Sequence, residues 1–177
     1  HEDHIGALPF ILPRLDAPLY CSRLTAGLIE NKMQDARTNY RPKYREICPG
    51  DIIEAGAFSV EFIPVCHSIP DSLALSIHTP MGMIVHTGDF KLDPTPIDGI
   101  GTDYSSFASL GKEGVLLMLS DSTNIEKEGI TPSEKTVGQT FERLFRLYKD
   151  RRIVIATFAS NLHRAQHTHS PYSRYVK

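Results

Sequence analysis

The chain opens on a polar turn and then alternates short apolar runs with breaks marked by Gly and Pro. Behind His1–His4, the run Ile5–Leu12 predicts a short helix, and Ala17–Cys21 predicts a strand. Ala26, Ile29 and Met33 recur at helical spacing across Thr25–Asp35. Asn39–Glu46 alternates Arg41, Lys43 and Arg45, which predicts a solvated edge strand or loop, with an RNA track as the alternative. Asp51–Glu54 and Phe58–Val65 flank a Gly-containing turn, and Phe58, Val60 and Phe62 repeat every second residue like a half-buried strand. Leu73–His78 and Met83–His86 flank Thr79-Pro80-Met81-Gly82 and predict a hairpin. Val115–Leu119 is wholly apolar, the pattern of a central strand. Thr131 as N-cap, Pro132 as first helical residue and Glu134 three after the cap predict a helix start. Val137, Phe141, Leu144, Phe145 and Tyr148 form its buried stripe, and Ile153–Ala156 predicts a further buried strand. That strand–helix–strand succession predicts entry into an α/β unit.

Composition narrows the class without naming a chemistry. The 177 residues are 41% hydrophobic and 23% charged, enough apolar material for a sizeable core. A formal net charge of −2 supplies no global basic field for nucleic acid, although a metal-bearing groove carries local charge of its own. Cys21, Cys48 and Cys66 are isolated, with no C-x-x-C pair, so neither a disulfide framework nor a cysteine-rich zinc site is indicated. Buried free thiols in a reducing cytoplasm are the expectation. No apolar run is long enough to span a bilayer, and no membrane partner is expected.

The candidate chemistry lies where predicted strands meet turns. His1-Glu2-Asp3-His4 packs two imidazoles and a carboxylate into one short turn. His67 follows His4 by 63 residues, in Cys66-His67-Ser68, and Asp89 follows His67 by 22, in His86-Thr87-Gly88-Asp89-Phe90-Lys91. Asp121 closes the apolar run in Ser120-Asp121-Ser122-Thr123-Asn124. Strand ends hold ligands in fixed geometry while leaving coordination positions open to water. Taken singly each signal is weak; as an ordered set they are specific. His78 and His86 alternate along hairpin strands and are expected to be structural or exposed, His86 being the better outside candidate. Ser160, Asn161 and His163, where a strand meets a helix, are candidates for holding a substrate phosphate; a helix N-cap and first turn is the plainer expectation.

This ordered set resembles the metallo-β-lactamase superfamily, with its H-x-H-x-D-H motif followed by a single His and a single Asp. Over residues 1 to about 166 it is more closely similar to ribonuclease J of the β-CASP family. The Ser120–Asn124 and Thr157-Phe158-Ala159-Ser160-Asn161-Leu162-His163-Arg164 segments separate that family from general superfamily hydrolases. The resemblance implies an α/β (α+β sandwich) fold: an incomplete αββα metallo-β-lactamase domain over 1–150 and the start of an α/β β-CASP domain over 151–166. It implies two zinc ions, with manganese tolerated. His1 and His67 would serve one ion, Asp3 and His4 the other, and Asp89 both. Asp121 would support a ligand, and Glu2 falls at a variable position. Asp3 and Asp89 would also help activate the hydrolytic water. Two such ions lower the pKa of a water toward neutrality and offset charge on the phosphoryl oxygens.

The implied activity is hydrolysis of RNA phosphodiesters in RNA processing and decay, 5′-to-3′ exonucleolytic with endonuclease action beside it. The implied setting is a cytoplasmic homo-oligomer of a longer protein. His1 matches the second His of the first motif, so the chain is expected to be a piece cut within its own site, with a His two positions upstream and little activity by itself. From about His167 the resemblance stops, and 167–177 is expected to be a tail foreign to the family. The alternatives are a hydrolase of the same fold acting on a small ester or thioester, and a catalytically dead binding fragment.

Overall fold

The computed structural model describes residues 1–158, 161 and 164. Helices α1 (Glu2–Ile5) and α2 (Leu8–Leu15) lead into strand β1 (Leu19–Cys21) and helix α3 (Arg23–Asp35). Strands β2 (Tyr44–Glu46), β3 (Ile52–Ala55), β4 (Phe58–Pro64), β5 (Leu73–Thr79) and β6 (Gly82–His86) follow. Helix α4 (Tyr104–Glu113), strand β7 (Leu117–Leu119) and helix α5 (Glu134–Leu147) complete the described elements. This is the mixed α/β arrangement of a metallo-β-lactamase-type fold.

The main sheet has the order β3-β4-β5-β6-β7, and β1 and β2 form a separate parallel pair. Strands β3 to β6 pair antiparallel in sequence, whereas β7 joins β6 parallel. One row of residues crosses the sheet in register: Phe62 opposite Leu75, Leu75 opposite His86, and His86 opposite Leu119. Strands β4, β6 and β7 therefore run in one direction, and their C-terminal ends gather at one end of the sheet.

Among the described residues, two apolar clusters hold the main sheet to α4 and α2 to α3. Ile63, Val65, Ala74, Met83 and Val85 pack with Leu110 of α4, with Phe90 and Phe107 against them. Leu12 of α2 packs with Ile29 and Met33 of α3, with Tyr44 of β2 beside them. Helix α4 was not signalled by the hydrophobic period; its cue is Asp103, whose carboxylate accepts from the Ser105 and Ser106 N–H groups. Those contacts, with the Ser105 and Ser106 hydroxyls foremost, hold the Asp103 carboxyl down at about 2. Helix α3 begins at Ser22, whose hydroxyl accepts from Thr25 N–H.

Three expectations are corrected. Val115–Leu119 does not lie at the centre of the sheet: only Leu117–Leu119 pairs, β6 is its one neighbour among the described strands, and Leu116 and Met118 are 64% and 55% exposed. Ile153–Ala156 forms no strand, and Val154 is exposed, so no strand–helix–strand unit closes within the described residues. Helix α5 is capped by Ser133 rather than Thr131, because Glu134 N–H is taken by Asp93 Oδ2 and the Ser133 hydroxyl accepts from Lys135 N–H. Its stripe is buried at Phe145, half-buried at Val137 and Phe141, and exposed at Leu144 and Tyr148. The tail 167–177 lies outside the described residues.

The core assignment is testable at Ile63, which is 1% exposed between β5 and α4. Ile63→Ala is expected to cost about 2–5 kcal/mol through lost burial and a residual cavity. Ile52→Ala on exposed β3 should stay within about 0.5 kcal/mol. Urea denaturation of both variants measures the difference, and equal losses would remove Ile63 from the core.

Candidate metal centre

Helix α1 is a single turn, closed by His4 and Ile5 N–H groups donating to His1 O at 3.1 and 3.2 Å. Positions three apart lie on one helical face, so this turn sends His1 and His4 the same way. The second contribution comes from the end of β4. Beyond Pro64, Val65 N–H donates to Ser72 O at 3.0 Å, and the chain leaves the sheet carrying His67. The third comes from the end of β6, where Thr87 N–H donates to Leu119 O and Gly88 turns the chain. Gly88 has φ +58, and a Cβ there would stand 2.8 Å from Leu73 O. Only glycine fits that approach. The turn delivers Asp89.

These ends bring five of the expected ligand residues together. His1, His67 and Asp89 form one group and Asp3, His4 and Asp89 another, with the offered atoms of each within 4.8 Å. His1 Nε2 and His67 Nε2 are 2.8 Å apart, and the rings meet edge-on at 85°. Asp89 Oδ2 lies 3.6 Å from His67 Nε2, while Oδ1 lies 3.2 Å from His4 Nε2. Asp3 Oδ2 is 3.4 Å from His4 Nε2, with its side chain 76% exposed. Two imidazole nitrogens held this close need one proton between them or a shared cation; a set of N and O donors without thiolate suits zinc or manganese. The residues therefore fit the implied ions. A cleft of about 230 Å³ opens on His1, His4, His67 and Asp89.

Electrostatics favour the metal-competent forms. Burial, the largest influence, pushes the His67 imidazole below its ordinary 6.5, against the opposing pull of Asp89 and Asp121. The Cys66 thiol is pushed up, first by burial, which keeps it protonated and out of the donor set. The Asp121 carboxyl is lowered first by Thr123 N–H, against a burial penalty, and further by the Thr123 hydroxyl. Asp121 N–H donates to Thr87 Oγ1 at 3.0 Å. Asp121 thus braces the turn before Asp89 and joins neither ligand group.

The remaining candidates fall where their local contacts put them. Glu2 pairs with Lys32 at 2.6 Å. His78 contacts Ser76 Oγ at 3.1 Å, and exposed His86 accepts from Gly88 N–H at 3.0 Å. Asn161 is buried, and its Oδ1 accepts from Arg164 N–H at 3.1 Å, the contact of a helix cap. Ser160 and His163 lie outside the described residues. Sequence reasoning gave no role to Ser68, whose Oγ is 3.0 Å from His1 Nε2. It also missed the network in which Lys91 Nζ lies 3.5 Å from Asp93 and 3.4 Å from Glu134, with Arg164 2.9 Å from Glu134. The Asp-Pro-Thr turn at Asp93 was a usable cue; a partner 41 residues away in Glu134 was not.

No family model matches the chain. Among curated proteins it is 46% identical to ribonuclease J of Helicobacter pylori over 93% of this chain and 24% of that protein. The ribonuclease J proteins of Thermus thermophilus and Mycolicibacterium smegmatis are 45% and 46% identical, over 94% of this chain and 30% and 29% of their own lengths. A solved structure of an Enterococcus faecalis protein of unknown function superposes with a TM-score of 0.66 at 22% identity, covering 86% of this chain and 39% of its own. Over more than nine-tenths of its length the chain is therefore similar in sequence to ribonuclease J proteins, and it spans 24–30% of the length of those relatives.

Proposed function

We propose that this chain carries most of the dinuclear zinc centre of an RNA-hydrolysing enzyme of the ribonuclease J type, with manganese as an accepted substitute. The observation that carries the reading is Asp89, one oxygen facing His4 and the other facing His67. A carboxylate so placed could serve two cations at once. His1 and His67 would hold one ion, Asp3 and His4 the other. Bound there, the ions would supply Lewis acidity to a hydrolytic water and to the phosphoryl oxygens. The chain's own residues do the positioning: Gly88 sets the Asp89 carboxylate, and the burial of His67 keeps its ring neutral and able to donate a lone pair.

The substrate we infer is RNA, cleaved from the 5′ end with internal cleavage as a second mode, in the cytoplasm and in a homo-oligomer of the longer protein. Residues 1–150 would belong to the metallo-β-lactamase domain and 151–166 to the start of the β-CASP domain, with Ser160, Asn161 and His163 toward the substrate phosphate. Contrary to expectation, only Cys66 of the three free thiols is buried, with Cys21 half-buried and Cys48 exposed; they still fit a reducing compartment, and no helix among the described residues is long and apolar enough to cross a membrane. The isolated 177 residues should retain little activity, because each ligand group reaches three donors only by sharing Asp89, and Asp3 is open to water.

Asp89→Asn keeps the shape of the side chain and removes its charge. In the longer protein it should lower cleavage of 5′-monophosphorylated RNA by more than the roughly 10–100-fold typical of losing a hydrogen-bond partner of a ligand. Retained cleavage, or hydrolysis of small esters in place of RNA, would sink this reading.

The pH response follows from His67. Its pKa is lowered in the folded chain, so the unfolded chain binds the proton first as pH falls. The stabilisation from the neutral ring is complete above the ordinary value of 6.5 and is lost as pH drops through the lowered one. NMR titration of the metal-free protein should give a His67 midpoint below 6.5, and a midpoint above it would contradict the burial argument.

A further inference from the structure

Thr102 lies between β6 and α4, 13 residues beyond Asp89 and 35 beyond His67, and is 7% exposed. Its hydroxyl accepts from Cys66 N–H at 3.0 Å and donates to Lys91 O at 3.1 Å. Lys91 N–H in turn donates to Cys66 O at 2.7 Å. The three contacts form a closed ring joining the loop that carries His67 to the loop that carries Asp89. Asp103 N–H fastens the same segment to Pro64 O at 3.0 Å, and α4 anchors it through Leu110 in the main core.

We propose that Thr102 is a positioning residue for metal binding, fixing the spacing of His67 and Asp89 through this ring; the proposal rests on the dinuclear reading above. A hydroxyl is required because one atom must accept and donate at once. Valine has the same shape and does neither, leaving the buried Cys66 N–H and the half-buried Lys91 carbonyl without these partners. Serine does both.

The test uses the longer protein, metal-stripped and titrated with Zn²⁺ against a chelating dye, alongside thermal melts with and without Zn²⁺. Thr102→Val should weaken Zn²⁺ binding about 10–100-fold and shrink the Zn²⁺-induced rise in Tm. Thr102→Ser should bind within about threefold of the parent, since the ring is kept. Thr102→Val that folds and binds Zn²⁺ like the parent overturns the proposal, as does a Tm lowered equally with and without Zn²⁺, the mark of a purely structural contact. If Thr102→Val does not fold, Thr102→Ala takes its place under the same criteria. If neither folds, Thr102→Ser decides: affinity within about threefold of the parent supports the ring, and any larger loss overturns it. A parent that binds no Zn²⁺ at all removes the dinuclear reading itself, and is told apart by needing no variant.

Discussion

At Gly88 the backbone turns with φ +58 so close to Leu73 O that a side chain has no room, and the position of Asp89 depends on that turn. Leu73 opens β5, the strand between β4 and β6, so the clash that excludes a side chain is with the sheet itself. The turn is braced from both sides: Thr87, buried at 2%, bonds through its N–H to Leu119 O, and its hydroxyl meets Asp121 N–H. Because β4, β6 and β7 share a direction, the residues that follow Phe62, His86 and Leu119 leave the sheet at the same end. Sheet pairing fixes which loops meet; the Gly88 turn fixes where the shared carboxylate points.

Charge is apportioned around that carboxylate. Lys91 is two residues from Asp89, yet its ammonium is engaged by Asp93 and Glu134, and Glu134 also takes Arg164. Burial would raise the Asp93 carboxyl, but the Thr95 N–H, the Ser133 hydroxyl, the Glu134 N–H and Lys91 together leave it lowered. Two cations and two anions thus satisfy one another at the start of α5. The Asp89 oxygens face imidazoles, and a lysine partner there would occupy the lone pairs they present.

Much of this was legible in the sequence, for physical reasons that also explain the failures. The hairpin of β5 and β6 is local, and its Thr-Pro-Met-Gly turn announced it. The convergence of His1, Asp3, His4, His67 and Asp89 was legible because turns after strands are where side chains meet, and their ordered spacing resembles one family's motifs. Helix α4 was not, because its apolar residues are few and its strongest signal is the single cap Asp103. The apolar run at Val115–Leu119 records a capacity for burial, whereas its exposure records what the described neighbours cover. The α5 cap was misplaced by two residues because Asp93, distant in sequence, claims Glu134 N–H and moves the first free donor to Lys135.

The opening tetrapeptide holds three of the five candidate donors on the least supported part of the site. Asp3 and His4 are open to water, and α1 is one turn with no side-chain cap. His67 and Asp89 are the more buried pair, at 20% and 30% exposure, and they stand on loops tied to the sheet and to each other. Ligands held by a packed scaffold lose little entropy on meeting an ion, whereas ligands on a short exposed helix must be ordered by it. If the proposed centre takes two ions, the His1–His67–Asp89 group, with two of its three candidate ligands on those loops, should fill first. The Asp3–His4 side would then complete around an Asp89 already fixed, so that the order of occupation follows from burial and not from the number of donors.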